Sequence, residues 1–310
     1  MHLAVYLPLL FPLLAGPAAG PLARRLEPRQ ATWLLTAAAL ILAASSTLVL
    51  GLLALAGLVR IPLVAALEDY SPDVIAHEDP AAWPAALAGA ILLTLAAIAT
   101  VRLTARRAGA LWSAALDAAC LPGPNSVVVT DDHSADAYTM PGLPGRIVIS
   151  HGMLDALDPA GQEILLAHEQ AHLDHHHYAF VSLAQLSAAD NPLLRPLATA
   201  VAYTVERWAD EHAAHHTGNR RAVAETVAKA AVAIKRTRTP RRIPAAALGM
   251  LGRHPAPGTV PRRVTALLAP PPHSPPLLLL AAGALLAASG LCAVEAAHDL
   301  HQFLELAHAH

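Results

Sequence analysis

The residues with the clearest chemical potential are the run His168-Glu169-Gln170-Ala171-His172, which reads H-E-x-x-H. The apolar residues that precede it, and the absence of Gly and Pro before Asn191, predict a helix. On a helix, positions i and i+4 share one face, so the two imidazoles can bind one metal ion with Glu169 beside them. Because the chain contains 18 histidines, a chance match or a surface pair of histidines is the alternative.

A catalytic zinc site needs a third protein ligand and one position left for water. Glu206 and Asp210 offer carboxylates at positions i and i+4 of a second predicted helix, from about Leu197 to His216. We predict that Glu206 is the third ligand and that Asp210 accepts a hydrogen bond from the far nitrogen of a ligand histidine. The alternative is that both carboxylates face solvent as ordinary helix charges.

The composition indicates a membrane protein. Of the 310 residues, 55% are hydrophobic and only 14% are charged, which is too apolar for an ordinary soluble domain. The formal net charge of −2 gives no electrostatic reason to expect nucleic acid as a partner. The two cysteines, Cys120 and Cys292, lie far apart and imply no disulfide framework.

Four charge-free segments are long enough to cross a bilayer as helices. The first contains several prolines, and because its arginines follow it, it does not resemble a signal peptide. Arginines follow the first and third segments, whereas the loop 60–80 is acidic, so we expect the N-terminus outside and residues 102–275 in the cytoplasm. The four predicted spans run from Leu3 to Ala23, Ala31 to Val59, Ala81 to Val101 and Pro276 to Val294.

The segment between the third and fourth spans has the pattern of an α+β domain. Short β-branched runs at 127–129 and 146–149 predict strands, with a further strand at 137–140. Asp158-Pro159 is typical of a helix start, and the proline-rich stretch from Pro240 to Pro276 is expected to be mostly loop. We therefore predict a mostly α membrane protein with four transmembrane helices and an α+β domain with a small sheet. Residues 1–101 are predicted to form the first three transmembrane helices, residues 102–275 the cytoplasmic domain, and residues 276–310 the last transmembrane helix with a short tail.

Over roughly residues 110–268, the chain resembles the integral-membrane gluzincin peptidases in five sequence elements and in their order. This group includes the BlaR/MecR-type antirepressor peptidases, the HtpX-type proteases and the CAAX prenyl proteases. The chain departs from the HtpX-type pattern at Asp136, where those proteins usually have Asn. The five elements are the strand and turn 135–142, the strand and helix 147–154, the H-E-x-x-H run, Glu206 to Asp210, and His254-Pro255 with Arg262 or Arg263.

The resemblance implies one zinc ion per chain, held by His168, His172 and Glu206, with Glu169 as general base. It implies a strand at 137–140 that can pair with an extended substrate; the alternative is ordinary sheet structure. Three spans before the domain and one after it are similar to the BlaR/MecR-type plan, and we expect no penicillin-binding sensor after the last span. Candidate donors to the oxyanion are His212, His215, His216, Tyr203 and Arg207.

These observations predict a membrane-anchored zinc endopeptidase that cleaves a cytoplasmic protein, with a transcriptional repressor as one candidate. The expected partners are the lipid bilayer and a protein or peptide substrate. One alternative is an HtpX-like quality-control protease, and another is a non-catalytic metal-binding or signalling protein. The run His175-His176-His177 is expected on the surface or in helix packing, with a second metal site as its alternative.

Overall fold

Helices make up most of the computed structural model, which describes residues 6–58, 82–120, 126–142, 145–237, 258–271, 273 and 275–308. The predicted mostly helical fold with a small sheet is confirmed. Four described helices contain the segments predicted to cross the membrane. They are α1 (Leu7–Arg25), α2 (Pro28–Leu58), α3 (Ala82–Cys120) and α10 (Pro276–His308).

Among the described residues, three helices are long and apolar enough to cross a membrane, over Pro28–Leu58, Trp83–Cys120 and Pro276–Glu295. The first predicted span forms helix α1 but is not one of these three, and α1 is only 19 residues long, with three prolines inside it. Four spans are therefore not confirmed. The acidic loop 60–80, on which the predicted orientation partly depends, lies outside the described residues.

A three-stranded mixed sheet precedes the helices that carry the predicted site. Strands β1 (Val127–Thr130), β2 (Ala137–Met140) and β3 (Arg146–Ser150) lie in the order β1-β3-β2. Strand β1 pairs with β3 in parallel, and β2 pairs with β3 antiparallel, with Thr139 opposite Ile147. All five residues of β3 are buried, as expected for a central strand, and β2 therefore forms one edge of the sheet.

The helices after the sheet surround the predicted site. Three of them begin with side-chain caps, because Ser150 Oγ accepts from the Met153 N–H, the Asp158 carboxylate from the Gly161 N–H and Asn219 Oδ1 from the Ala222 N–H. A 3₁₀ turn at Pro192–Leu194 separates two others. The helices are α4 (His151–Ala156), α5 (Pro159–Asp174), α6 (His177–Asp190), α7 (Arg195–Thr217), α8 (Arg220–Arg236) and α9 (Thr259–Leu268).

Two features of this region differ from the sequence prediction. The helix that carries H-E-x-x-H does not continue to Asn191 but stops at Asp174, and His176 takes a left-handed conformation with φ of 49°. Part of the stretch predicted as loop forms helix α9, which has an apolar face although prolines flank it in the sequence. The predicted His254-Pro255 element lies outside the described residues.

Helices α6 and α7 pack directly against the candidate spans rather than forming a separate body. One buried cluster joins them to α1 and α2 through residues such as Ala19, Leu35, Leu42, Val181 and Leu197. A second cluster joins the sheet to α5, α7, α8 and α9. Both clusters include residues of α7, so the helix that carries Glu206 also contacts α1 and α2.

Candidate metal centre

His168, His172 and Glu206 come together as a buried triad. The first two lie one turn apart on α5, and Glu206 faces them from α7, which packs against α5. His168 and His172 are almost completely buried, and Glu206 is 7% exposed. Each of the three residues offers one ligand atom within 4.8 Å of the others, and this is the group of metal-ligating residues found among the described parts of the chain.

The spacing of these atoms fits a tetrahedral zinc site. The Nε2 atoms of His168 and His172 are 3.2 Å apart, and each lies 3.8 Å from an oxygen of Glu206. Zinc-ligand bonds of about 2.0–2.1 Å at tetrahedral angles separate the ligand atoms by roughly 3.4 Å. Two imidazoles and one carboxylate are also the ligand set of many catalytic zinc sites, so the residues present fit the metal.

Arg263 on α9 binds two carboxylates of α7, those of Glu206 and Asp210. Its guanidinium donates two hydrogen bonds to Asp210, of 2.7 and 2.6 Å, and one of 2.9 Å to Glu206 Oε2. Arg263 is 1% exposed, whereas the neighbouring Arg262 is exposed and contacts a backbone oxygen of its own helix. Of the two arginines left open by the sequence, the structure therefore selects Arg263.

The buried charges around Arg263 shift each other's pKa. Burial alone would raise the pKa of Asp210, but the Arg263 guanidinium lowers it to about 2. Burial raises the pKa of Glu206 well above its ordinary value, and Arg263 opposes that rise. Desolvation lowers the pKa values of both His168 and His172, so both rings stay neutral, which is the form that binds a metal ion.

Each histidine of the triad has a neighbour at its Nδ1 atom. Asp210 Oδ1 lies 3.2 Å from His168 Nδ1, but the ring N–H is aligned too poorly for the full hydrogen bond that the sequence predicted. His172 Nδ1 lies 2.9 Å from Nδ1 of His177, which is fully buried. If His172 binds a metal through Nε2, its Nδ1–H donates and the neutral His177 accepts. Burial lowers the pKa of His177 to about 3, so the ring is neutral.

His177 is a site residue that the sequence reasoning missed. The run His175-His176-His177 was expected on the surface or in packing, but the left-handed His176 turns the chain so that His177 points back at His172. His175 instead stacks on Trp208, with ring centroids 4.8 Å apart. The signal that could have found His177 is its position five residues after His172, combined with a break in the helix.

Glu169 is held by the edge strand of the sheet. The Thr139 hydroxyl of β2 donates to Glu169 Oε2 at 2.7 Å and also lies 3.1 Å from the Glu169 carbonyl oxygen. Both residues are buried, so the carboxylate is oriented by a bond that water does not weaken. Thr139 lies within the strand predicted from the sequence, but its contact with Glu169 was not predicted.

A cleft of about 860 Å³ opens beside these residues. Thr139 and His172 line it together with Pro141 and Gly142 at the end of β2. Its other wall includes Tyr178 of α6 and residues Leu111 and Ala115 of α3. The cleft is therefore bounded by the edge strand, a metal-ligand histidine and the continuation of a candidate span.

The model of peptidase family M48 matches residues 103–189. The matched segment contains the sheet, the H-E-x-x-H run and Thr139, but it ends before Glu206. The match supports an M48 metallopeptidase, in agreement with the buried histidine and carboxylate triad. No curated protein and no solved structure matches the chain.

The predicted oxyanion donors do not converge on one position beside the triad. Arg207 turns from the triad and donates to the carbonyl oxygens of Ala23, at 2.7 Å, and Arg24, at 3.5 Å, so it caps the end of α1. Its guanidinium lies 5.9 Å from the ring of Tyr203. His212 contacts the ring of His175, and His215 and His216 are exposed near the end of α7. Arg207 is thus better described as a structural link to α1 than as a donor.

Proposed function

We propose that the chain is a membrane-anchored, zinc-dependent endopeptidase that hydrolyses a protein substrate. The observation that carries the proposal is the buried triad of His168, His172 and Glu206, with Glu169 next to His168 in the sequence and with His172 at the wall of an open cleft. The family M48 match over residues 103–189 supports the same class of reaction. A merely structural zinc site would use four protein ligands, whereas this group leaves one position for water.

Zinc, when bound by the triad, lowers the pKa of water towards ~7 and polarises the scissile carbonyl. Glu169 accepts the proton of the attacking water and later donates it to the leaving amine. The Thr139 hydroxyl positions the Glu169 carboxylate for this transfer, since it donates to Oε2. Asp210 and His177 orient the two ligand imidazoles from their far nitrogens.

The edge strand β2 supports an extended peptide as the substrate. Within the described residues, β2 pairs with β3 on one side, and no strand pairs with its other side. Thr139 of this strand reaches Glu169, so a peptide added along the free edge would lie next to the general base. The cleft beyond it has a volume of about 860 Å³ and is lined by apolar residues such as Leu111 and polar ones such as Gln170, which leaves room for several residues of a polypeptide.

Three candidate spans support anchoring in the cell membrane, and the arginine pattern supports a cytoplasmic peptidase domain. We further propose the BlaR/MecR-type arrangement, with a transcriptional repressor as the protein that is cut. The support for this finer assignment is the order of motifs and the three apolar segments that precede the domain in the sequence, of which two, in α2 and α3, are candidate spans.

The test compares the wild type with Glu169→Gln in native membranes, by sequencing the new protein N-termini that each produces. Glu169→Gln should abolish cleavage while one zinc per chain remains, because the ligands are intact. Glu163→Gln, on the exposed side of the same helix, is the matched control and should cleave normally. One specific cut in a cytoplasmic repressor supports the proposal, many cuts in membrane proteins favour quality control, and cleavage by Glu169→Gln refutes the mechanism.

A further inference from the structure

The connection between α6 and α7 turns its polar side chains towards α2 and leaves two apolar residues, Pro192 and Leu193, exposed, while Leu194 is buried. Asp190 Oδ2 accepts a hydrogen bond of 2.6 Å from Thr47 of α2, and the Asn191 amide donates to Ser46 of the same helix at 3.2 Å. Leu193, at the outer side of this connection, is 44% exposed, and Pro192 beside it is exposed as well. A loop in water usually shows the opposite arrangement. We call residues 190–194 the hairpin tip.

The backbone polar groups of the hairpin tip are also satisfied within the protein. The Asn191 N–H donates to the Ser187 carbonyl, the Leu193 N–H donates to Asn191 Oδ1, and the Leu194 N–H donates to the Asn191 carbonyl. Pro192 has no N–H. A segment that enters hydrocarbon must meet this requirement, because lipid offers its N–H groups no acceptor.

The register of α2 against α3 shows where the hairpin tip lies along the membrane normal. The reference is Arg102, the first charged residue after the apolar part of α3. The two helices are antiparallel, with Gly57 against Ala86 and Gly89 against Leu53. At 1.5 Å per residue, this register puts Arg102, the first charge after the apolar part of α3, opposite about residue 40 of α2. Ser46, which contacts the hairpin tip, lies about 9 Å further towards the apolar side.

The contacts of helix α1 with α2 and α7 place a second arginine at the same position along the membrane normal. The Ser46 hydroxyl lies 3.3 Å from the Pro8 carbonyl oxygen, and Gly16 packs against Pro196 at the start of α7. Since α1 runs antiparallel to α2, Pro196 lies opposite about residue 38 of α2. The adjoining Arg195 is exposed, as is Arg102, so two arginines from different helices mark one level. Exposed arginines at the end of an apolar span are typical of the lipid headgroup region.

We propose that the hairpin tip is inserted into the hydrocarbon of the bilayer, about 9 Å beyond the level of these two arginines. The inference rests on the membrane anchoring in the proposed function and adds a second attachment, made by the helices of the metal centre themselves. The inward-facing Asp190 fits this location, because ionisable residues inside membranes face the protein interior and pair there.

The surface of α1 next to the hairpin tip is apolar as well. Leu7, Leu10 and Leu14 lie on one side of α1 and are 38%, 52% and 61% exposed. They lie on the apolar side of the level of Gly16, so lipid chains cover them in the proposed arrangement. The ligand helix α7 then starts at the headgroups, and Glu206, eleven residues after Arg195, lies about 17 Å along the helix from that level.

Spin labels test the proposal on the full chain, with Cys120 and Cys292 replaced by Ala, in vesicles of phosphatidylcholine and phosphatidylglycerol. Single cysteines for labelling replace Leu193 at the hairpin tip, Leu285 within the candidate span of α10, and Arg221 on α8. Collisions of each label with oxygen, which dissolves in lipid, and with a water-soluble nickel complex are measured by power saturation. Circular dichroism checks that the three labelled proteins keep the helix content of the parent.

We expect the label at position 193 to lose its collisions with nickel, as the label at 285 does, whereas the label at 221 keeps them. Nickel collisions at 193 equal to those at 221, with 285 protected, would overturn the inserted hairpin tip and leave the anchoring intact. Nickel collisions at 285 as well would overturn both the anchoring and the insertion. The zinc content and the cleavage by the unlabelled protein report on the catalytic part of the proposed function separately.

Discussion

Replacing Arg263 by Met removes the guanidinium that contacts both Glu206 and Asp210 of α7. Methionine has a similar length and no charge, so the volume is largely kept while three hydrogen bonds are lost. Glu206 and Asp210 then share a buried space without the arginine that holds them. Arg262→Met is the matched control, since Arg262 is the preceding residue of the same helix and is exposed.

The size of the effect follows from the burial of the three groups. Removing one partner of a buried ion pair costs about 3–5 kcal/mol, because the other charge stays buried without compensation. This is a large part of the ~5–15 kcal/mol by which a typical protein is stable. We therefore expect a clear loss of thermal stability for Arg263→Met, and a change within about 0.5 kcal/mol for the exposed control.

Metal binding should change in a pH-dependent way. Arg263 opposes the rise that burial causes in the pKa of Glu206, so its removal raises that pKa further. A ligand carboxylate must lose its proton before it binds zinc. Zinc affinity of Arg263→Met is therefore weaker than that of the wild type near neutral pH. It recovers as the pH rises towards the new pKa, by about tenfold per pH unit.

The assay is competition for zinc with a chelator of known affinity at several pH values, together with melting curves of the metal-free proteins. Arg262→Met should follow the wild type in both measurements. If Arg263→Met binds zinc with the affinity and pH dependence of the wild type, the arginine does not control the charge of Glu206. An unchanged melting temperature would refute the argument from buried charge.

The other two predictions concern the contacts that the sequence did not reveal. Exchanging His177 for Phe should weaken zinc binding about 10–100-fold, because it removes the acceptor at His172 Nδ1. Chelator competition measures this against His176→Asn, a residue type that tolerates the left-handed backbone, and equal affinities would contradict the role of His177. Thr139→Val should lower kcat about 10–100-fold at unchanged zinc content, since a hydrogen bond to a charged group contributes about 1.5–3 kcal/mol. A wild-type kcat in steady-state cleavage would show that Glu169 needs no such support.

Local patterns were sufficient to predict the strands and the members of the triad. The i and i+4 spacings of His168 with His172, and of Glu206 with Asp210, restrict these side chains to one face of a helix each, and the β-branched runs match β1 and β3. That α5 and α7 would bring the two faces together followed from the chemistry of zinc, which requires a third ligand. The metal itself, the substrate and the orientation in the membrane stay predictions.

The parts that could not be predicted depend on contacts between distant segments. The choice of Arg263 over Arg262 depends on which face of α9 packs on α7, and adjacent residues of a short helix give no strong signal for this. The break at His175-His176 contains no Gly or Pro, so the turn that brings His177 to His172 has no local marker. Helix α1 was predicted as a span from its apolar content, but its three prolines and 19 residues distinguish it from the three longer candidates.

Helix α3 continues without a break from its apolar part to the wall of the cleft, and this fixes a distance that a substrate must cover. From Arg102 to Leu111 the helix rises about 14 Å. An extended chain advances about 3.3 Å per residue, so a substrate that is itself anchored in the bilayer needs a spacer of at least about four residues before the cleft. The enzyme would then select cleavage sites by their distance from the membrane as well as by their sequence.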